Sequence, residues 1–225
     1  MITKQTFSTT SAWLDALLKE FQSLVNDTLR SRDRMHVALS GGSTPKPFYD
    51  ALAHKGDLPW GRIEWWLGDE RWVPATNPAS NEKMIRESLA AGDNEFAQHF
   101  HSWHLDLEAE GAARLYEAEL RRAMGNRPAF DLILLGLGTD GHTASLFPGT
   151  PVLQEKFLYT SACFVPQMKS MRVTLTYPCL NAARNVWFLV QGREKEARIA
   201  ELLNRGEIPS AKIQTKCQKL FWLTA

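Results

Sequence analysis

The run Phe130-Asp131-Leu132-Ile133-Leu134-Leu135 is short, almost wholly apolar and without alternation, the pattern of a strand buried on both faces. It breaks at once into Gly136-Leu137-Gly138-Thr139-Asp140-Gly141-His142-Thr143-Ala144-Ser145-Leu146-Phe147-Pro148. A strand of that kind needs cover on two sides, which calls for helices on both faces of a parallel sheet. Its glycine-rich exit carries an Asp and a His two residues apart, at the strand end where α/β folds place their ligands.

The rest of the chain has the same texture. Trp13, Leu14, Leu17, Leu18, Phe21, Leu24, Val25 and Leu29 recur at helical spacing and predict a helix over 11–30. Short strands are expected at Met35–Leu39, Ile63–Leu67, His99–Trp103, Phe130–Leu135, Asn185–Val190 and Leu220–Leu223. Extended segments are expected at Phe157–Val165 and Met171–Thr176. Helices are expected from Pro45 or Pro47 to about His54, over Asn81–Ala91, over Glu108–Met124 with Gly125 as its stop, over Tyr177–Ala183 and over Glu194–Asn204. The alternation predicts a single α/β domain over residues 1–225, with a doubly wound, mostly parallel sheet and helices on both faces.

Composition narrows the partners. The 225 residues are 44% hydrophobic and carry a net charge of +1, which leaves no electrostatic footprint for nucleic acid. No run is long and apolar enough for a membrane span, and residues 1–10 lack a signal-peptide pattern, so a cytoplasmic protein is expected. Cys163, Cys179 and Cys217 are three and widely spaced, which argues for reduced thiols and against a zinc site. His99, His101 and His104 imitate a metal cluster. One strand face carries only the first two, with no apparent carboxylate partner, so neither metal nor cofactor is expected.

Five segments carry candidate chemistry, all beside predicted strand ends. Ser40-Gly41-Gly42-Ser43-Thr44-Pro45 offers backbone N–H groups, hydroxyls and a helix start, which suit a phosphate. It is neither a Walker loop nor a dinucleotide fingerprint, and an ordinary capped turn reads almost as well. In Asp69-Glu70-Arg71, Arg71 can reach an anion or a developing oxyanion; the alternative is a solvated, salt-bridged turn. Asp140-Gly141-His142 places an imidazole and a carboxylate where they can share a pocket, His142 as a base on water. Lys169 to Arg172 and Gly192 to Lys195 each lie next to a strand end and can supply cations to a phosphate, though by itself each reads better as a solvated charge. No Gly-x-Ser-x-Gly elbow is present, which disfavours a serine hydrolase.

In this order the segments resemble the 6-phosphogluconolactonase family. The motifs are Ser40–Pro45, Trp66–Pro74, Gly136–Pro148, Arg172-Val173-Thr174-Leu175-Thr176, and Gly192 with Lys195. The resemblance covers nearly the whole chain, and Gly136–Pro148 is its most specific part. It implies a fold shared with sugar-phosphate isomerases and metal-free hydrolysis of 6-phospho-D-glucono-1,5-lactone, a small phosphorylated sugar lactone, in the oxidative pentose phosphate pathway. It further implies that Gly41, Gly42, Ser43 and Thr44 cradle the phosphate with Arg172 and Lys195. His142 would be the base, Asp140 its support, and Arg71 would face the lactone. Two rivals share the fold. A glucosamine-6-phosphate deaminase would carry an Asn-Glu-Pro stretch where this chain has Leu146-Phe147-Pro148. A sugar-phosphate sensor would carry an added DNA-binding segment, and nothing before Met35 is long enough for one. Spacing says nothing of the oligomeric state.

Overall fold

Trp65 and Trp66 are neighbours on one strand and therefore point to opposite faces of the sheet. Trp65 stacks on Phe21, with ring centroids 6.0 Å apart. Trp66 meets Tyr116 edge-on at 5.6 Å. Phe21 and Tyr116 belong to two different helices, so this one dipeptide sets a helix on each side of the sheet.

The computed structural model describes residues 1–55, 57–89 and 94–225. Its first half runs β1 (Ile2–Phe7), α1 (Thr10–Leu29), β2 (Met35–Leu39), α2 (Lys46–Lys55), β3 (Ile63–Leu67), β4 (Asp69–Arg71), α3 (Asn81–Leu89), α4 (Asn94–Gln98) and β5 (Phe100–His101). The second half runs α5 (Ala109–Met124), β6 (Leu132–Leu135), β7 (Thr160–Val165), β8 (Ser170–Leu175), α6 (Tyr177–Ala182), β9 (Asn185–Gln191), α7 (Glu196–Leu203) and β10 (Cys217–Leu223). Seven strands form a parallel sheet in the order β1-β10-β9-β6-β2-β3-β5. The chain winds one way from β2 to β3 and the other way from β6 through β9 to β10, so β2 and β6 flank the point where the winding reverses.

The elements follow from their residues. In α1, Trp13, Leu17, Phe21 and Val25 are buried along one stripe, and the Thr9 side chain accepts from the Ala12 N–H at the start. α5 ends where Gly125 takes a φ of 87°, as its place after Met124 predicts. The Tyr116 hydroxyl of α5 accepts from the Leu67 N–H at 2.8 Å, which pins this helix to the end of β3.

Three features depart from the expectations. The strand β1 lies in a segment with no predicted element; it is an edge strand, with Thr3, Lys4 and Thr6 exposed, so it lacks a continuous apolar run. Asp69–Arg71, expected only as the segment that follows the strand Ile63–Leu67, is itself a strand of a second sheet ordered β4-β8-β7, antiparallel throughout. The histidine pair does have a carboxylate partner. Glu64 accepts from His101 Nε2 at 2.8 Å and from Arg34 at 2.5 Å, and lies 3.3 Å from His99 Nδ1. The predicted helix 81–91 is seen as Asn81–Leu89, and its last two positions lie outside the described residues.

Burial raises the Glu64 carboxyl, but the His101, Arg34 and His99 contacts more than offset it and hold the group at about 2 against its usual 4.5. A carboxyl lowered by folding contributes stability above its unfolded value and loses it as pH falls through the folded one. Glu64→Gln is therefore expected to lower unfolding stability at pH 7 by about 1–2 kcal/mol. Urea titrations at several pH values should show the gap to the native chain closing as pH falls from 4.5 toward 2.

Candidate active site

Parallel strands buried on both faces carry almost no polar side chains, so polar groups collect where the strands end. Here β2, β3, β6 and β9 all end at the rim of one cavity of about 320 Å³. The loop after β2 contributes Gly41, Gly42, Ser43 and Thr44. Gly42 has a φ of 98°, a conformation that a side chain would strain, and this turns the loop toward α2. Lys195 comes from the turn after β9, and Arg71 and Arg172 from the small sheet.

Arg71 and Arg172 are register partners on antiparallel β4 and β8, so their side chains leave the same sheet face side by side. Burial, then the charge of Arg71, pulls the Arg172 guanidinium below its usual range, while Asp69 and Glu70 pull the other way. The Nε atoms of both arginines are buried without a hydrogen-bond partner, and so is the Ser40 hydroxyl at the end of β2. Three buried polar groups on one rim suit an anionic, oxygen-rich ligand.

Glu70 holds this corner together. It is fully buried and accepts from Arg71 N–H at 2.7 Å, Ser80 Oγ at 2.9 Å, and the Asn81 and Glu82 N–H groups at 2.8 Å each. One carboxylate thus caps α3 and fixes the backbone from which Arg71 extends. Burial outweighs these four bonds and leaves the Glu70 carboxyl above its usual range. The alternative reading of Asp69–Arg71 as a solvated turn is excluded by that burial.

The loop after β6 folds tightly. Gly138 N–H donates to His142 O at 2.8 Å, and His142 N–H donates to Asp140 Oδ1 at 3.0 Å. His142 Nδ1 lies 2.5 Å from the same carboxylate oxygen. Burial raises the Asp140 carboxyl, but the backbone and ring donors of His142 outweigh it, and the group stays below its usual value. An ionised Asp140 accepts, so Nδ1 carries the proton and Nε2 is the basic nitrogen. His142 lines the cavity and Asp140 stands behind it.

The cavity therefore gathers Gly41, Gly42, Ser43, Thr44, Arg71, His142, Arg172 and Lys195, with Asp140 one layer back. Four neighbours had no assigned role in the sequence. Ser40 and Asp69 lie inside quoted motifs, and Asp69 Oδ2 accepts from Ser145 Oγ at 2.6 Å. Asn81 donates to the Asp69 carbonyl at 2.8 Å and packs against Gly41; no local pattern marks it. Phe147 closes the wall beside His142. Among the described residues no group of three or more His, Cys, Asp or Glu is disposed to hold a metal ion.

Gly138 is required by close approach. A Cβ there would stand 2.1 Å from His142 Nδ1 and 2.7 Å from Asp140 Oδ1. Gly138→Ala is expected to push the Asp–His pair out of place and to reduce turnover at least about 10²-fold, since small misplacements of a reacting group cost that much. Far-UV circular dichroism should stay native, because β6 ends before this residue.

Comparison with known proteins places the fold and the motifs. The sequence model described as "Glucosamine-6-phosphate isomerases/6-phosphogluconolactonase" matches residues 8–222. The chain is 34% identical to a 6-phosphogluconolactonase of Thermotoga maritima over 211 residues, 93% of each chain. It is 37% identical to a 6-phosphogluconolactonase of Nostoc over 221 residues, covering 94% of this chain and 89% of that one. The crystal structure of the Thermotoga maritima 6-phosphogluconolactonase superposes with a TM-score of 0.89 at 30% identity, over the full length of both chains.

Proposed function

The chain belongs to the glucosamine-6-phosphate isomerase/6-phosphogluconolactonase family and is a lactone hydrolase, and we propose that it hydrolyses 6-phospho-D-glucono-1,5-lactone to 6-phosphogluconate by attack of water assisted by His142. The reading places the reaction in the oxidative branch of the pentose phosphate pathway and treats residues 1–225 as one lactonase domain. The observation that carries it is the Asp140–His142 pair. The carboxylate accepts a hydrogen bond from Nδ1–H and so leaves Nε2 basic in a cavity that also holds the Gly41–Thr44 loop and three cationic side chains.

The chemistry follows from these parts. His142 Nε2 takes a proton as water adds to C1 of the lactone. Asp140 holds the ring in the tautomer that permits this and stabilises the imidazolium that results. The oxyanion on C1 is met by Arg71 or by N–H groups of the loops. Collapse breaks the bond from C1 to the ring oxygen, which recovers a proton from His142. Protons balance with one residue acting first as base and then as acid. The phosphate is held by Ser43, Thr44 and the backbone of Gly41 and Gly42, with charge from Arg172 and Lys195. Its binding energy holds C1 in register with the base.

His142→Ala is expected to lower kcat by about 10²–10⁴-fold with the melting temperature unchanged. The assay is a pH-stat measurement on freshly made lactone, with spontaneous hydrolysis subtracted. Near-native turnover in that variant would sink the assignment, and ammonia release from glucosamine 6-phosphate would replace it with deaminase chemistry. Ser43→Ala and Lys195→Ala should raise KM about tenfold with little change in kcat, as the loss of one charge-assisted bond to a bound phosphate requires.

A further inference from the structure

The His142 imidazole is held on two sides. Its ring lies over the Phe147 ring with centroids 3.9 Å apart and planes 19° from parallel. The Gly138 backbone comes so close that a Cβ would sit 2.3 Å from Cε1. We propose that Phe147 is a positioning residue for catalysis, whose ring fixes the plane of the His142 imidazole while Asp140 fixes its tautomer. The proposal rests on the reading of His142 as the base and adds a residue to that machinery.

The need for such a residue is geometric. A hydrogen bond from Nδ1 to Asp140 fixes one atom of the ring. The torsion between Cβ and the ring is broad and poorly determined by local sterics. His142 is 30% exposed at its side chain, so the cavity side leaves the ring room to swing. A flat, buried partner parallel to the ring removes that freedom; Phe147 is 5% exposed.

The loop is shaped to deliver this contact. Ala144 takes a φ of 47°, rare for a residue with a side chain, and folds the segment back. Leu146 N–H donates to Thr143 O at 3.0 Å across the fold, and Thr143 Oγ1 donates to Gly136 O at 2.8 Å. On the far side, Phe147 O accepts from Thr150 Oγ1 at 2.7 Å and from its N–H at 3.2 Å. The backbone of Phe147 is thus tied before and after, five residues from His142. Packing alone would be served by any large aliphatic group at this position; near-parallel stacking needs a flat ring.

Phe147→Leu and Phe147→Tyr separate the two. On freshly made lactone, Phe147→Leu is expected to lower kcat about tenfold with KM within about twofold, the scale of one aromatic pair. Phe147→Tyr should keep kcat within about twofold of the native enzyme. An unchanged kcat in the Leu variant, or a Tyr variant no better than Leu, overturns the proposal. A measurement on the native protein stands apart from folding of the variants: the His142 ring protons should be displaced upfield in NMR by the phenyl ring current. Signals at ordinary imidazole positions overturn the proposal as well. His142→Ala run in parallel keeps the two readings apart: full activity there overturns the base and this proposal with it, whereas lost activity there beside an unchanged Phe147→Leu variant overturns this proposal alone.

Discussion

The structure depends on one constraint: its central strands are buried on both faces and can carry almost nothing polar. β2, β3 and β6 together expose little beyond Glu64. All seven strands of the main sheet run the same way, so their exits share one edge, and polar groups excluded from the strands gather there. The glycine loop, the Asp–His pair and Lys195 are consequences of that geometry rather than separate inventions. The opposite edge receives the other consequence, where Glu64, Arg34 and the histidines satisfy one another at the strand starts.

A second constraint comes from the small sheet. It aims two arginines at the cavity from neighbouring strands, which like charges resist. Asp69 and Glu70 offset this from the same strand. Glu70 is spent wholly on backbone and Ser80 donors and never reaches the cavity rim. The three successive charges Asp69, Glu70 and Arg71 therefore divide by strand alternation. Asp69 and Arg71 face the cavity, and Glu70 faces inward as the cap of α3.

The imidazole shows the same economy. One carboxylate sets the tautomer, one glycine makes room, and one phenyl ring sets the plane, all within residues 138–147. In the mechanism we propose, one residue takes a proton from water and returns one to the ring oxygen, and a wandering orientation would harm both transfers because they use the same nitrogen.

Much of this was legible in the chain. The buried strands and the amphipathic helices α1 and α5 follow from hydrophobic period, and Gly125 from its place after a helix. The segments at Gly41–Thr44, Arg71 and Asp140–His142 stand out because glycines and charges directly follow apolar runs, whereas Arg172 and Lys195 read by themselves as solvated charges and are marked only by the family resemblance. The rest needed three dimensions. β1 is an edge strand with too little burial to leave a period. Asp69–Arg71 looks like a turn until β8, a hundred residues on, pairs with it. Asn81 and Glu64 acquire their partners through contacts between distant segments. Phe147 is plain in the sequence but its contact is not, since only the left-handed fold at Ala144 lays it on His142. Sequence by itself determined which residues must be buried and which loops must break, because those depend on local period and conformational preference. Tertiary structure decided which side chains meet, because that depends on register between strands and on the direction in which each loop returns.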